Sequence, residues 1–299
     1  MTNLKNCTSD EMKRKIAKHP CYSPEAQHTF GRLHLPVAPS CNIQCNYCDR
    51  KYDCVNESRP GVTSEVLTPD DAVDRTKKIL EQNRYIQVVG IAGPGDPLDN
   101  DETFETFRQI RALFPKITLC ISTNGLLLAD RFDELAEADV ETLTITMNAL
   151  DPEIQEKIIS RVYYQGKRHE GREAAELLIQ NQLKGIQKAV AAGMTVKINT
   201  VLIPGINDKH IPELAKKMNE MGVYIMNIMP LINQAAFKDI TPPTDAERKA
   251  IQDACAPYVK QMRHCRQCRS DAYGLIGKDL STEKNEGCKD LKMAEKYDK

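Results

Sequence analysis

Eight consecutive residues, Cys41-Asn42-Ile43-Gln44-Cys45-Asn46-Tyr47-Cys48, set three thiols in a C-x3-C-x2-C loop. Three thiolates this close can hold three irons of a cubane [4Fe–4S] cluster, and without a fourth ligand nearby one iron stays open to substrate or cofactor. The rival reading is a structural zinc site, which normally closes four ligands around the ion and favours C-x2-C pairs. Farther on, Cys265-Arg266-Gln267-Cys268 has metal-ligand spacing, and alone it also fits a redox pair or half a zinc site. The chain carries 11 cysteines, an odd number, and residues 1–18 are polar without the apolar segment of an export signal. Thiols in a reducing compartment point to metal or redox chemistry rather than disulfides, and the expected location is cytoplasmic.

The loops need elements to carry them. From residue 32, short runs rich in β-branched residues alternate with stretches of helical period, the pattern of βα units around a parallel sheet. Strands are expected at about 32–39, 85–91, 117–122, 142–147, 195–203 and 223–229. Thr68-Pro69-Asp70-Asp71 predicts a capped helix start, with Ala72, Val73, Thr76, Ile79 and Leu80 as its inward stripe. Thr244-Asp245-Ala246-Glu247 predicts another, running towards Met262. The polar, glycine-punctuated stretch 163–172 reads as a surface insertion or lid. In parallel barrels chemistry gathers at the carboxyl ends of strands. There the chain places the cysteine loop, then Ala92-Gly93-Pro94-Gly95-Asp96-Pro97-Leu98, then Ser122-Thr123-Asn124-Gly125. Thr144, Thr146 and Asn148, followed by Thr195, Lys197 and Asn199, form polar stripes of period two that face either a polar cofactor or solvent.

Composition removes several function classes. Forty-one basic against 42 acidic residues leave a net charge of −1, which argues against a broad nucleic-acid surface. No apolar run approaches the roughly 18 residues of a membrane span. At 299 residues the chain can bury a sizeable core without crosslinks.

The cysteine triplet after a first strand, with an aromatic residue before its last thiol, resembles the radical S-adenosylmethionine (SAM) superfamily. The resemblance implies an α/β fold, a partial (βα)6 TIM-type barrel. In it Cys41, Cys45 and Cys48 hold the cluster, and SAM chelates the open iron and yields a 5′-deoxyadenosyl radical. It puts the glycine-rich segment with Gly93, Gly95 and Asp96 against the methionyl amine and residues 203–207 beneath adenine. It assigns Thr146, Ile198 and Tyr47 to the SAM pocket, the last two through backbone groups; Asn148 and Asn199 are the polar-stripe residues expected beside the cofactor. Leu98 stands where a dinucleotide fingerprint has its third glycine, which disfavours that rival.

A wider set of residues is similar to the NifB family of nitrogenase-cofactor assembly enzymes, over about residues 18–274. It comprises His19-Pro20-Cys21, the triplet extended to Cys54 and Glu57-Ser58-Arg59-Pro60, the glycine-rich segment, and Cys265 to Ala272. The resemblance implies that two [4Fe–4S] clusters are fused into an eight-iron, carbide-centred precursor. One SAM methylates a cluster sulfide and another supplies the radical that takes hydrogen from that methyl group. Within this frame one accessory cluster is assigned to Cys21, Cys265 and Cys268 with His19 as a nitrogen ligand, and a second to Cys54, Cys120 and Glu57. Residues 1–31 and 231–299 are expected as ligand-bearing extensions of a barrel at 32–230, and the NifX-like domain of longer relatives is expected to be absent. Implied partners are SAM, an iron–sulfur cluster donor, and a downstream scaffold or carrier, with no nucleic acid and no membrane. Two alternatives stay open: a radical SAM oxidoreductase with auxiliary clusters acting on a peptide or small molecule, and a non-enzymatic iron–sulfur scaffold. Cys255 is expected to pack in a helix, and Cys7 and Cys288 receive no role.

Overall fold

The computed structural model describes residues 9–56, 61 and 64–280, so Cys7, Glu57, Arg59 and Cys288 lie outside the described residues. In chain order the main elements are α1 (Ser9–Ala17), β1 (Gly31–His34), β2 (Ile43–Cys45), α2 (Pro69–Gln82), β3 (Ile86–Ile91), α3 (Asp101–Leu113), β4 (Thr118–Thr123) and α4 (Phe132–Glu137). They continue with β5 (Thr142–Thr146), α5 (Pro152–Ile158), β6 (Ile159–Tyr164), β7 (Lys167–Glu170), α6 (Gly171–Ala191), β8 (Thr195–Leu202), α7 (Ile211–Glu220), β9 (Ile225–Pro230), α8 (Asp245–Cys255), β10 (Tyr273–Leu275) and β11 (Lys278–Asp279). The six parallel strands β1-β3-β4-β5-β8-β9 form a curled half-barrel, and antiparallel β10 and β11 extend it beyond β1.

Period two divides the strand residues between two buried faces. Leu33, Val89, Leu119, Ile121, Leu143, Ile145, Val196, Ile198 and Met226 join one core with residues of the outer helices, such as Phe104, Phe107 and Leu214. Fully burying each such side chain contributes about 1.5–3 kcal/mol. The alternate residues, among them Arg32, His34, Cys120, Thr144, Lys197 and Asn199, line an interior chamber. The polar stripes are therefore buried and turned inward rather than towards solvent: Thr144, Lys197 and Asn199 are 2%, 6% and 1% exposed.

Four segments depart from the sequence-based expectation. The first strand ends at His34, five residues short of the expected 39, because Pro36 and Pro39 have no N–H to give the ladder. The α8 helix has its capping box, with Glu247 N–H donating to Thr244 Oγ1, but stops at Cys255 rather than near Met262, two residues before Pro257. The chain then runs alongside β9, with Met226 N–H donating to Lys260 O at 2.8 Å and Met262 N–H to Met226 O at 2.8 Å. The stretch 163–172, expected as a surface insertion or lid, is the exposed end of the β6–β7 hairpin, which turns through Gln165 and Gly166 at φ of 51° and 75°, and the first residues of α6. The hairpin's β6 strand pairs with β2 inside the cysteine loop, so the hairpin is a buttress. The β10–β11 hairpin was not foreseen; its two strands are too short to show a pattern. Cys255 is fully buried in the main core, as expected of a packing residue. No helix among the described residues is long and apolar enough to cross a membrane.

Candidate active site: two adjoining thiol-lined cavities

The cysteine triplet sits above the carboxyl ends of the strands, on a loop held by strand pairing and by side-chain amides and a guanidinium. Its β2 segment pairs Ile43 with Val162 and Gln44 with Arg161. Gln44 Nε2 donates to the Cys45 and Cys48 carbonyls at 3.1 and 2.8 Å, and Arg50 Nη2 donates to Ile43 O at 2.7 Å. From the end of β4, Asn124 Nδ2 donates to Asn42 Oδ1 at 2.7 Å and reaches Cys41 Sγ at 3.8 Å.

The glycine-rich segment after β3 closes against this loop. A Cβ on Gly95 would lie 2.2 Å from the Ser40 carbonyl oxygen, so only glycine admits the approach. Gly95 N–H donates to Ala38 O, and Asp96 N–H donates to Ser40 O at 2.8 Å. The Asp96 carboxylate accepts from Leu98 N–H and Thr123 Oγ1 at 3.0 and 2.9 Å and from Asn124 N–H. Burial pushes its pKa up to about 7, against the pull of those donors.

These parts enclose an upper cavity of about 530 Å³ lined by Cys41, Cys45, Cys48 and Cys54, with Gly95, Asp96, Asn124 and Thr146 opposite and Arg50 as its cationic side chain. Burial raises the Cys41, Cys45 and Cys48 thiols to about 12 each, and the Cys54 thiol well above its usual value. Thiols so desolvated are neutral near pH 7 unless a metal takes the place of the proton.

Below it, inside the half-barrel, lies a chamber of about 680 Å³ lined by His19, Cys21, Cys120, Cys265 and Cys268, with Arg32, His34, Lys197 and Asn199. The two cavities share Asn56, Ala92 and Ser122 as wall. Residues from both ends of the chain build the lower one. Arg32 Nη1 donates to Gly274 O at 2.8 Å, while Nη2 pairs with Asp279 and donates to Cys268 Sγ at 3.0 Å, clamping the hairpin onto β1. Tyr22 Oη donates to Leu143 O at 3.1 Å, fixing the N-terminal segment across the strand starts. Burial raises Cys21 to about 12, offset in part by Lys197; Cys268 is raised by burial and pulled back by Arg32. Burial holds His19 well below the ordinary imidazole range. Its Nδ1 accepts from Cys21 N–H at 3.2 Å, and its buried Nε2 has no hydrogen-bond partner. In that bonding pattern the neutral ring carries its proton on Nε2, so ligation through this nitrogen requires the proton to leave or move to Nδ1.

Both thiol sets suit a multi-iron group. Among the described residues no three His, Cys, Asp or Glu side chains converge closely enough to hold one metal ion. Zinc draws its ligands to about 2.0–2.3 Å from a single point, whereas a cluster spreads them around its own body.

The predicted site residues fall into three groups. Cys41, Cys45, Cys48, Cys54, Gly95, Asp96 and Thr146 meet at the upper cavity, and His19, Cys21, Cys120, Cys265, Cys268 and Asn199 at the lower one. Cys54 and Cys120 thus open on opposite sides of the shared wall, and Glu57, their expected companion, lies outside the described residues. Tyr47, Asn148, Ile198 and Gly93 are absent from the lining of both cavities. Asn148 Nδ2 donates to Tyr47 Oη at 2.9 Å, and Ile198 packs on the helix side. Gly93 carries its carbonyl to Ala38 N–H at 3.2 Å. Sequence reasoning gave no role to Arg32, Arg50 or Gln182; the Nε2 of the last bridges Asn124 O and Thr146 O at 2.7 and 2.8 Å. Arg50 alone carried a signal, two residues past the last triplet thiol.

Comparison with known proteins bears on the family and the fold. Residues 35–218 match the radical SAM superfamily. The NifB FeMo cofactor biosynthesis protein of Herbaspirillum seropedicae is 48% identical over 280 residues, covering 91% of this chain and 53% of the relative. That of Chlorobaculum tepidum is 47% identical over 275 residues, covering 91% and 65%. The chain thus spans between half and two thirds of the length of these relatives. A radical SAM methyltransferase from Sphaerobacter thermophilus shares the fold at a TM-score of 0.57 and 17% identity, over 77% of this chain and 64% of that one. The chain therefore belongs to the radical SAM superfamily, and within it its sequence groups with the NifB proteins.

Proposed function

We propose that the chain is the radical SAM enzyme that fuses two [4Fe–4S] clusters, with insertion of a SAM-derived carbide and an added sulfur, into the eight-iron precursor of the nitrogenase cofactor. The observation that carries the reading is the shared wall: a second thiol-lined chamber adjoins the triplet cavity through Asn56, Ala92 and Ser122. When bound, the triplet cluster and SAM supply methyl transfer and a reductively generated 5′-deoxyadenosyl radical.

In this reading Cys41, Cys45 and Cys48 hold the resident cluster. The backbone of Gly93 to Asp96 meets the methionyl amine, and Arg50 pairs with the methionyl carboxylate. Thr146 and the backbone of Ile198 and Tyr47 bound the rest of the SAM pocket. Asn148 keeps Tyr47 in place behind the triplet, and Asn199 faces the substrate side. The first substrate cluster is held by Cys21, Cys265 and Cys268 with His19; the second set, expected as Cys54, Cys120 and Glu57, must reach across the shared wall, from Cys54 in the upper cavity to Cys120 in the chamber. Of the extensions at 1–31 and 231–299, the segments 19–22 and 265–279 supply ligands and close the chamber. A cluster donor loads the protein, a scaffold or carrier receives the product, and the work takes place in the reducing cytoplasm.

The test is anaerobic reconstitution of the full chain with iron, sulfide and SAM under reducing conditions. The reading requires both 5′-deoxyadenosine and S-adenosylhomocysteine, together with a carbide-containing cluster that carries label from the SAM methyl group. One nucleoside product without the other removes half of the scheme. Absence of SAM cleavage reduces the protein to a cluster scaffold, and turnover of a peptide without a cluster product makes it an oxidoreductase.

A further inference from the structure

Segments from both ends of the chain close the lower chamber, and the closure is incomplete beside β9. This is the last strand of the parallel sheet. Its outer edge is met by the chain at Met226, whose N–H donates to Lys260 O and whose carbonyl accepts from Met262 N–H. Beyond that point the two segments part: β9 runs on to Pro230, while the other turns to bring Cys265 and Cys268 to the chamber. Between them lies a slot of about 550 Å³, bounded by residues 227–230, by residues 265–267 and by Arg248 of α8. Asn227, Met229, Cys265 and Arg266 line the slot and the chamber alike, so one space leads into the other. Among the described residues, none that lines the triplet cavity lines the slot.

The slot suits polar traffic better than packing. A sheet edge presents N–H and C=O groups that need water or another polar partner. At the inner end Asn227 is 1% exposed; its Nδ2 donates to Asn199 Oδ1 at 3.1 Å, and its own Oδ1 has no hydrogen-bond partner. A buried amide oxygen of that kind is costly unless water or a polar ligand reaches it. The charged side chains that line the slot, among the described residues, are Arg248, paired with Asp245 at 2.8 Å, and the exposed Arg266. An opening rimmed by one sign of charge concentrates ions of the other. We propose that this slot is the port of the lower chamber, by which small anionic iron–sulfur species pass between solvent and Cys21, Cys265 and Cys268 without crossing the triplet cavity, with Arg266 drawing them in. The identity of the cargo rests on the cluster-building reading; the route and its charge preference do not.

The route is read first on the apo full chain. Iodoacetate and iodoacetamide are close in size and differ by one negative charge. Applied anaerobically at low salt, with peptide mass mapping, they give alkylation rates at Cys21 and Cys120 in the chamber and at Cys41 and Cys45 in the triplet cavity. Arg266→Glu changes the rim by two charges, which for a reagent about 10 Å away in water corresponds to about a fourfold fall in the iodoacetate-to-iodoacetamide rate ratio. That fall is expected at Cys21 and Cys120 and not at Cys41 and Cys45. A ratio unchanged at Cys21 and Cys120, or lowered equally at both sets, overturns the proposal.

Closing the slot is the second arm. Arg248→Trp combined with Arg266→Trp should slow both reagents at Cys21 and Cys120 by about tenfold or more, since reaction then waits on local opening, and leave the triplet rates as they are. Undiminished chamber rates in the folded double variant overturn the route, and Arg266→Glu decides it alone should that variant fold poorly. On reconstitution the double variant should still cleave SAM but take up chamber iron several-fold more slowly than wild type. Uptake at the wild-type rate means that the cargo enters elsewhere and overturns the port's role in loading. Should the apo chain show the gated route while wild type cleaves no SAM, the cluster-building reading fails and the port stands.

Discussion

The two cavities share a wall but are made in opposite ways. The upper one takes its lining from Cys41 to Asn56 out of one stretch of chain and the rest from strand ends, so neighbours in sequence become neighbours in space. The lower one draws His19 and Cys21 from one end of the chain, Cys265 and Cys268 from the other, and Cys120 from the middle of β4. A site of the first kind needs correct local backbone, shown by Gly95 against Ser40. A site of the second kind exists only once the barrel is closed by Tyr22 below and by the Arg32–hairpin clamp at its edge.

Substitutions that cross the shared wall test that division most strongly. On the proposed assignment of Cys45 as a thiolate ligand of the radical-generating cluster, Cys45→Ala is expected to take 5′-deoxyadenosine formation to background, a fall of more than about a thousandfold. Cys120→Ala should lower total iron more than it lowers 5′-deoxyadenosine. Iron counting and product chromatography on both variants read the comparison, and equal losses of cleavage would mean that the cavities do not act separately. Cys54→Ala then tells to which side of the wall the proposed second substrate cluster belongs.

Next in size is the clamp. Arg32→Ala leaves Asp279, 8% exposed at its side chain, buried without its cation, and breaking one partner out of such a pair costs about 3–5 kcal/mol. Denaturant unfolding should show that loss and, on the proposed function, chelation of iron from the reconstituted chamber should be faster. A small loss would place the closure of the chamber elsewhere.

How much of this was open to sequence reasoning follows from the same contrast. The six strands and the α2 start at Thr68 are local signals of period and capping, and Thr68 Oγ1 does accept from Asp71 N–H at 3.2 Å. The triplet loop was open for the same reason. The inward direction of Cys120 could be stated only conditionally, because alternation between polar and apolar residues does not tell a buried chamber from solvent. Arg32 gave no warning: an arginine in a strand reads as exposed until a hairpin 242 to 247 residues away supplies two carbonyls and a carboxylate. The early end of β1 and of α8 was written in Pro36, Pro39 and Pro257, whose missing N–H groups outweigh the apolar pattern around them.

In the upper cavity Arg50 offers a subtler probe. A charge-assisted hydrogen bond contributes about 1.5–3 kcal/mol, so Arg50→Gln should weaken SAM binding at least tenfold. Isothermal titration with SAM and with its methyl ester separates cause from consequence: wild type should prefer the free carboxylate, and the variant should bind both alike. If the variant still discriminates, another group holds the carboxylate and Arg50 serves the loop through its bond to Ile43 O.

The smallest effect belongs to the floor of the lower chamber. Tyr22 is fully buried and packs edge-on against His19 with ring centres 4.4 Å apart. Tyr22→Phe keeps the ring and that packing and removes the hydroxyl that donates to Leu143 O, for an expected loss of about 1 kcal/mol of stability. Because His19 and Cys21 ride on the same segment, the loss should fall on the chamber as well as on global unfolding. Hydrogen exchange at residues 19–22 should quicken in Tyr22→Phe, while the cysteine loop across the wall keeps its wild-type rate. Equal acceleration in both places would mean that the floor and the triplet loop open as one unit, and the division between a locally built cavity and a globally built one would have to be withdrawn.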